Sequence, residues 1–137
     1  MKVNFLIKGF RDIQIDNRLI DLHNNFNFQR IDFEVATATL TLHWSKGVGE
    51  WIKPVELEKL IFVHQSVNYL KILNAMGTLY KGDEEVLTDL TFFQSTERDI
   101  DDRCLDQESP LEGDDIIYTF ANGMIIRVGC TDVTLLI

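Results

Sequence analysis

The run Ile116-Ile117-Tyr118-Thr119-Phe120-Ala121-Asn122-Gly123-Met124-Ile125-Ile126-Arg127-Val128 constrains the fold more than any other part of this chain. Two β-rich segments flank an Asn-Gly pair, the strongest short-range signal for a hairpin, because a type I′ turn requires positive φ at both central residues. Pairing Ala121 with Met124 sets Phe120 opposite Ile125, Thr119 opposite Ile126, Tyr118 opposite Arg127 and Ile117 opposite Val128. One face then carries Ala121, Thr119, Ile117, Met124, Ile126 and Val128; the other carries Phe120, Tyr118, Ile125 and Arg127. Apolar groups on both faces predict a hairpin covered on both sides, at least near its tip.

Period-two patterning extends this reading along the chain. Val3–Ile7 opens as a strand, and Asp16-Asn17 and Asn24-Asn25 read as turns. Phe26 and Phe28 alternate in one parity and Ile31, Phe33 and Val35 in the other, which places a bulge or break near Gln29-Arg30. Thr37, Thr39, Thr41 and His43 alternate with Leu40, Leu42 and Trp44. Ser45–Pro54, with Gly47 and Gly49, is a loop whose Trp51 is expected to fold back onto the core. Over Val55–Met76, two strands split at Gln65-Ser66 compete with a helix over Val67–Met76. Val86–Phe93 is a strand or short helix, and Val133–Ile137 a last apolar strand.

At 137 residues the chain has the length of one domain. The expected fold is mainly β, with α+β as the alternative: one antiparallel β-sandwich or strongly curved sheet of roughly seven to nine strands and at most one helix. The candidate core is Phe28, Phe33, Leu40, Leu42, Trp44, Phe62, Leu70, Phe92, Ile117, Phe120, Ile126 and Val128.

Charge is concentrated in one place. Glu97–Asp115 holds nine carboxylates against Arg98 and Arg103, which accounts for −7 of the formal net charge of −9. The remainder is a nearly neutral β domain, and 95–115 reads as an acidic loop inserted between β segments. A sequence pI near 4.7 disfavours nucleic acid and anionic membranes, whose phosphates repel it, and favours a basic protein partner. The carboxylates singled out for such docking are Asp99, Asp101, Asp102, Asp106 and Glu108. Carboxylates this dense are expected to stay solvated and ionised, in a flexible charged insertion or in a docking surface.

Motifs for chemistry are sparse. An EF-hand loop started at Asp99 puts Arg103 at its fifth position, Cys104 where glycine is required and Pro110 where the bidentate glutamate belongs. Gly47-Val48-Gly49 begins like a dinucleotide loop, but Ile52 stands at the third glycine position. His23, His43 and His64 lie in or beside different β-like runs without metal-ligand spacing. No nucleophile–base constellation is recognisable, so no enzyme, cofactor or metal is expected. Cys104 and Cys130 are expected as free thiols in a cytoplasmic protein, with neighbouring carboxylates raising the pKa of Cys104. The apolar run after Lys2 is too short for a secretory signal, and no stretch approaches the roughly 18 apolar residues of a membrane span.

Tyr118–Val128, an aromatic strand followed by an Asn-Gly turn and an alternating apolar strand, and the Phe62-Val63-His64-Gln65-Ser66-Val67 element carry a resemblance to a known group. In these features, and in being short, acidic and β-rich, the chain resembles small bacterial immunity proteins of polymorphic toxin systems and related families of unknown function. The resemblance implies a non-enzymatic inhibitor that docks a basic partner, its acidic loop mimicking phosphates; it carries over no site residue. The alternative is a β domain binding a small apolar ligand among its phenylalanines and tryptophans.

Overall fold

In the computed structural model, which describes residues 1–53, 56–74, 82, 85–101 and 103–137, the chain is mainly β. Its strands are β1 (Lys2–Val3), β2 (Leu6–Lys8), β3 (Asp12–Ile15), β4 (Arg18–Asp21), β5 (Phe26–Glu34), β6 (Thr39–Lys46), β7 (Lys59–Gln65), β8 (Tyr69–Leu73), β9 (Leu87–Gln94), β10 (Asp114–Phe120), β11 (Ile125–Gly129) and β12 (Asp132–Leu136). A single-turn helix α1 (Leu22–Asn25) links β4 to β5, its first turn capped by the Asp21 carboxylate, which accepts from the Asn24 amide at 2.8 Å. The strand count exceeds the seven to nine expected, because β1 to β4 are too short to show clear alternation.

Three sheets result, with orders β1-β12-β7-β6-β5, β8-β11-β10-β9 and β2-β3-β4. Among the described residues, the pairings are antiparallel except β1 with β12. The five- and four-stranded sheets face each other as a sandwich across an aromatic layer. Trp44 and Phe62 from one sheet pack on Tyr118 from the other with ring centroids 5.8 and 5.7 Å apart, and Phe28 meets Phe120 at 4.9 Å. The three-stranded sheet adds buried Ile7, Ile13, Ile15 and Ile20, and abuts β9 through the Leu90 amide, which donates to the Phe10 carbonyl at 2.7 Å.

Several sequence expectations appear directly. Val55–Met76 contains the two strands β7 and β8, separated after Gln65; Pro54, Val55, Ala75 and Met76 lie outside the described residues. The β5–β6 register shifts between Phe28 and Arg30, where the parity change predicted a bulge. The hairpin is covered on both faces, β10 being buried at every position but Thr119.

Its register, however, differs by one residue from the expectation. Tyr118 pairs with Ile126 and Ile117 with Arg127, and the connection is the three-residue loop Ala121-Asn122-Gly123. Gly123 takes φ +83°, and the Asn122 side chain accepts from the Met124 amide at 2.8 Å. Asn-Gly serves this longer turn as well as type I′. A one-residue slip reverses every side chain, and the observed register puts Tyr118, Phe120, Ile126 and Val128 together on the sandwich face. The expected one would have put Arg127 among the aromatics.

Two aromatics also depart from expectation. Phe33 is 45% exposed, because β5 is an edge strand whose far end the second sheet does not cover. Trp51 is 68% exposed, its indole lying over Gly49 and its Nε1–H donating to the Asn24 carbonyl at 3.0 Å. Phe28 and Leu70 are half-buried; the other nine expected core residues are buried.

One polar bridge crosses the sandwich interior. His64 on β7 is fully buried; its Nδ1 bonds the Leu40 carbonyl at 3.0 Å and its Nε2 the Tyr118 hydroxyl at 2.9 Å. Those partners suit a neutral ring that donates from Nδ1 and accepts at Nε2. Burial lowers the His64 pKa from 6.5 to about 4 and raises that of Tyr118. Between those values the unfolded chain binds the proton that the folded chain refuses, so stability falls as pH drops from about 6.5 to about 4. The loss attributable to His64 is about 3 kcal/mol. Urea unfolding from pH 7 to pH 4 should show that slope in the unmodified chain and a shallower one in His64→Gln.

Candidate functional site

The acidic segment lies across the outer face of the four-stranded sheet as a strap, fastened by one row of side chains. Register aligns Lys71, Arg127, Ile117 and Thr91 across β8, β11, β10 and β9. Antiparallel partners share a face, so this row points away from the sandwich core and under the strap. Each polar member of the row binds strap atoms.

Arg127 is the central anchor. It is fully buried, and its Nη1 donates to the carbonyls of Glu97 at 3.1 Å and Ile100 at 2.9 Å. Its Nη2 donates to the Gln94 carbonyl at 2.9 Å and its Nε to Asp115 Oδ2 at 2.8 Å. Lys71 binds the Arg98 carbonyl at 3.3 Å and forms an ion pair with Asp101. Thr91 Oγ1 donates to the Leu105 carbonyl at 2.9 Å and accepts from the Leu105 amide at 3.1 Å. Backbone groups of the strap therefore find partners much as they would in a sheet.

Asp115, buried at the start of β10, joins the two arginines. Arg98 engages it through Nε at 2.9 Å and Nη2 at 2.8 Å, while its guanidinium lies 3.8 Å from the Tyr69 ring centroid. Donating these hydrogen bonds to Asp115 raises the pKa of Arg98. Gly129 leaves room for this cluster: a Cβ there would come within 2.6 Å of Arg98 Nη2, 2.7 Å of Asp115 Oδ1 and 2.8 Å of Asn68 Oδ1. Asp114 closes the far end, accepting from Gln107 Nε2 at 2.6 Å and the Leu111 amide at 2.8 Å. The strap also reaches the three-stranded sheet, where the Glu108 carbonyl accepts from the Ile7 amide at 2.9 Å and its carboxylate pairs with Lys8 at 2.6 Å.

The residues singled out from sequence thus divide. Asp101 is committed to Lys71 and Glu108 to Lys8, Asp99 and Asp106 are exposed, and Asp102 lies outside the described residues. Asp114 and Asp115, expected among the solvated carboxylates, are buried and structural. Glu112 is exposed, and Leu105 and Leu111 on the same strap are 43% and 66% exposed. Arg127, Lys71 and Thr91 were missed as anchors. An arginine between Ile126 and Val128 in a strand buried on both faces was the available signal, since a buried guanidinium requires an anion and carbonyl acceptors.

Other expected chemistry is dispersed. His23 bonds the Leu87 carbonyl at 2.6 Å, His43 faces Asp32 at 2.9 Å and His64 lies in the core. Among the described residues, no group of three His, Cys, Asp or Glu side chains is placed to hold a metal, and no helix is long and apolar enough to cross a membrane. Both cysteines are free. Partial burial, and secondarily Asp89, pushes the Cys104 thiol pKa up, whereas burial chiefly takes that of Cys130 to about 12. An open groove of about 350 Å³ is lined by Val3, Asn4, Phe5, Leu6, Gln14 and Asp16. Asn4 is engaged there with both backbone groups of Leu135.

No protein-family model, curated protein or solved structure matches the chain. The geometry of the strap therefore carries the functional reading.

Replacing Arg127 by Met removes a charge-assisted bond to buried Asp115 and strips three carbonyls of their donor. The expected loss is about 3–5 kcal/mol by denaturant unfolding. A loss below about 1 kcal/mol, the range of an exposed pair, would show that Arg127 does not anchor the strap.

Proposed function

We propose that this chain is a non-enzymatic protein-binding domain that docks a basic protein partner through the carboxylates of its strap, in the manner of an immunity-type inhibitor. The observation that carries the reading is how the strap's groups are apportioned. Buried Asp114 and Asp115 and the paired Asp101 fix its path, while Asp99, Asp106 and Glu112 stand exposed with Leu105 and Leu111 between them. A pinned backbone presents these groups with little ordering entropy left to lose on binding. Exposed leucines among carboxylates suit a folded protein, whose docking combines apolar contact with electrostatic steering. Glu108 contributes at the strap's edge, where its pair with Lys8 is solvent-accessible.

The roles expected of the carboxylates follow from this division. Asp99 and Asp106 attract the partner at long range; Asp101 acts indirectly, by holding the strap to Lys71. Binding kinetics against basic proteins encoded beside this chain's gene provide the test. The association rate should fall at least about tenfold as salt rises from about 0.05 M to about 0.3 M. The double variant Asp99→Asn/Asp106→Asn should slow association several-fold while changing dissociation little. Association indifferent to salt and to this variant would count against the reading.

A further inference from the structure

Strand β5 forms one edge of the five-stranded sheet, on a different sheet from the strap. Beyond the bulge at its centre, Arg30 and Asp32 lie on the solvent face, with side chains 62% and 55% exposed, joined to each other at 2.9 Å. On the opposite face Ile31 is half-buried and Phe33 is 45% exposed, and just past the strand Val35 is 80% exposed. Exposed edges are usually blunted with charge, most often lysine, or by inward-pointing charged groups. Beyond the bulge this edge carries three charges, Arg30, Asp32 and Glu34, of which the first two have opposite sign and are spaced symmetrically about an isoleucine, backed by an uncovered phenylalanine.

That spacing is self-complementary. An antiparallel copy of the strand, related by a two-fold axis through Ile31, sets Arg30 of each protomer opposite Asp32 of the other. Shifting the axis to Arg30 would oppose two arginines; shifting it to Asp32 would set Arg30 opposite Glu34 but oppose two aspartates at the centre, a repulsion the central register lacks. Directly opposed like charges destabilise a strand pair, so charge selects the central register. In that register Ile31 meets its own copy and Phe33 lies diagonal to it, giving the exposed apolar groups a cover.

We propose that β5 is a self-pairing edge through which two copies of this chain join antiparallel about Ile31, with two Arg30–Asp32 pairs across the interface and Phe33 covered. The bulge near Gln29 keeps the ladder short, so the dimer is reversible and depends on concentration.

Sedimentation equilibrium of the whole chain, in a series reaching about 200 µM, is expected to show a monomer–dimer equilibrium. Arg30→Asp alone and Asp32→Arg alone should each weaken dimerisation about tenfold or more, since each converts two attractive oppositions into repulsive ones. Equimolar mixing of the two single variants should restore a dimer, now heterotypic, and the double swap Arg30→Asp/Asp32→Arg should restore the homodimer. In the unmodified chain, amides of residues 30–33 should gain protection from hydrogen exchange as concentration rises, a readout that needs no variant to fold. A chain monomeric throughout, folded single variants that dimerise like the parent, or a mixture that stays monomeric would overturn the proposal. Binding of an unrelated basic protein leaves these outcomes unchanged, so failure here is distinct from failure of the docking reading.

Discussion

The buried contact between Asp115 and Arg127 organises the rest of the outer face. Taking two charges out of water costs several kcal/mol per ion, and their attraction repays it only when the remaining donors and acceptors are satisfied. Here they are supplied from outside the sheet: Arg98 gives Asp115 two further bonds, and Gln94, Glu97 and Ile100 give Arg127 three carbonyls. The pair therefore requires the strap, and the strap requires the pair. Gly129 completes the dependence by leaving room for the side chains to meet.

This interdependence changes what the acidity of the chain means. A segment with nine carboxylates and two arginines would repel itself as a free loop. Burying Asp115 against two arginines and Asp114 against amide donors, and pairing others with Lys71 and Lys8, lets it lie flat on a sheet. What faces solvent includes Asp99, Arg103, Leu105, Asp106, Leu111 and Glu112, on a backbone held to the sheet by the buried groups. The sandwich beneath supplies rigidity through its aromatic layer and the His64–Tyr118 bridge, which ties the two sheets together.

Much of the sheet architecture was legible from local pattern, because alternation is a local property. The alternation from Thr37 to Trp44, most of which forms β6, the parity change at Gln29-Arg30 and the split after Gln65 each follow from a few adjacent residues. Alternation reports which face a side chain takes, but not whether anything covers that face, so Phe33 on the edge strand was assigned to the core. The hairpin register was not legible, since Asn-Gly suits two loop lengths and the choice depends on where Arg127 finds its partners. The strap was hidden for a related reason. Its fastenings join residues about thirty positions apart, such as Arg127 with Gln94 and Lys71 with Asp101, and sequence-local rules do not reach that far. Asp99 and Asp106 were identifiable as exposed acids by composition, whereas the division of labour among the carboxylates needed the fold.

The central claim is that Glu97–Asp115 belongs to the folded domain instead of hanging from it. Native-state hydrogen exchange at the Leu105 and Leu111 amides addresses it most directly, because both are bonded only to side-chain oxygens, of Thr91 and Asp114 respectively, among the bonds described. The account predicts that both amides are protected and open together with the neighbouring backbone of β10 as denaturant is raised. Exchange at both sites near the rate of an unstructured peptide, while β10 stays protected, would contradict it.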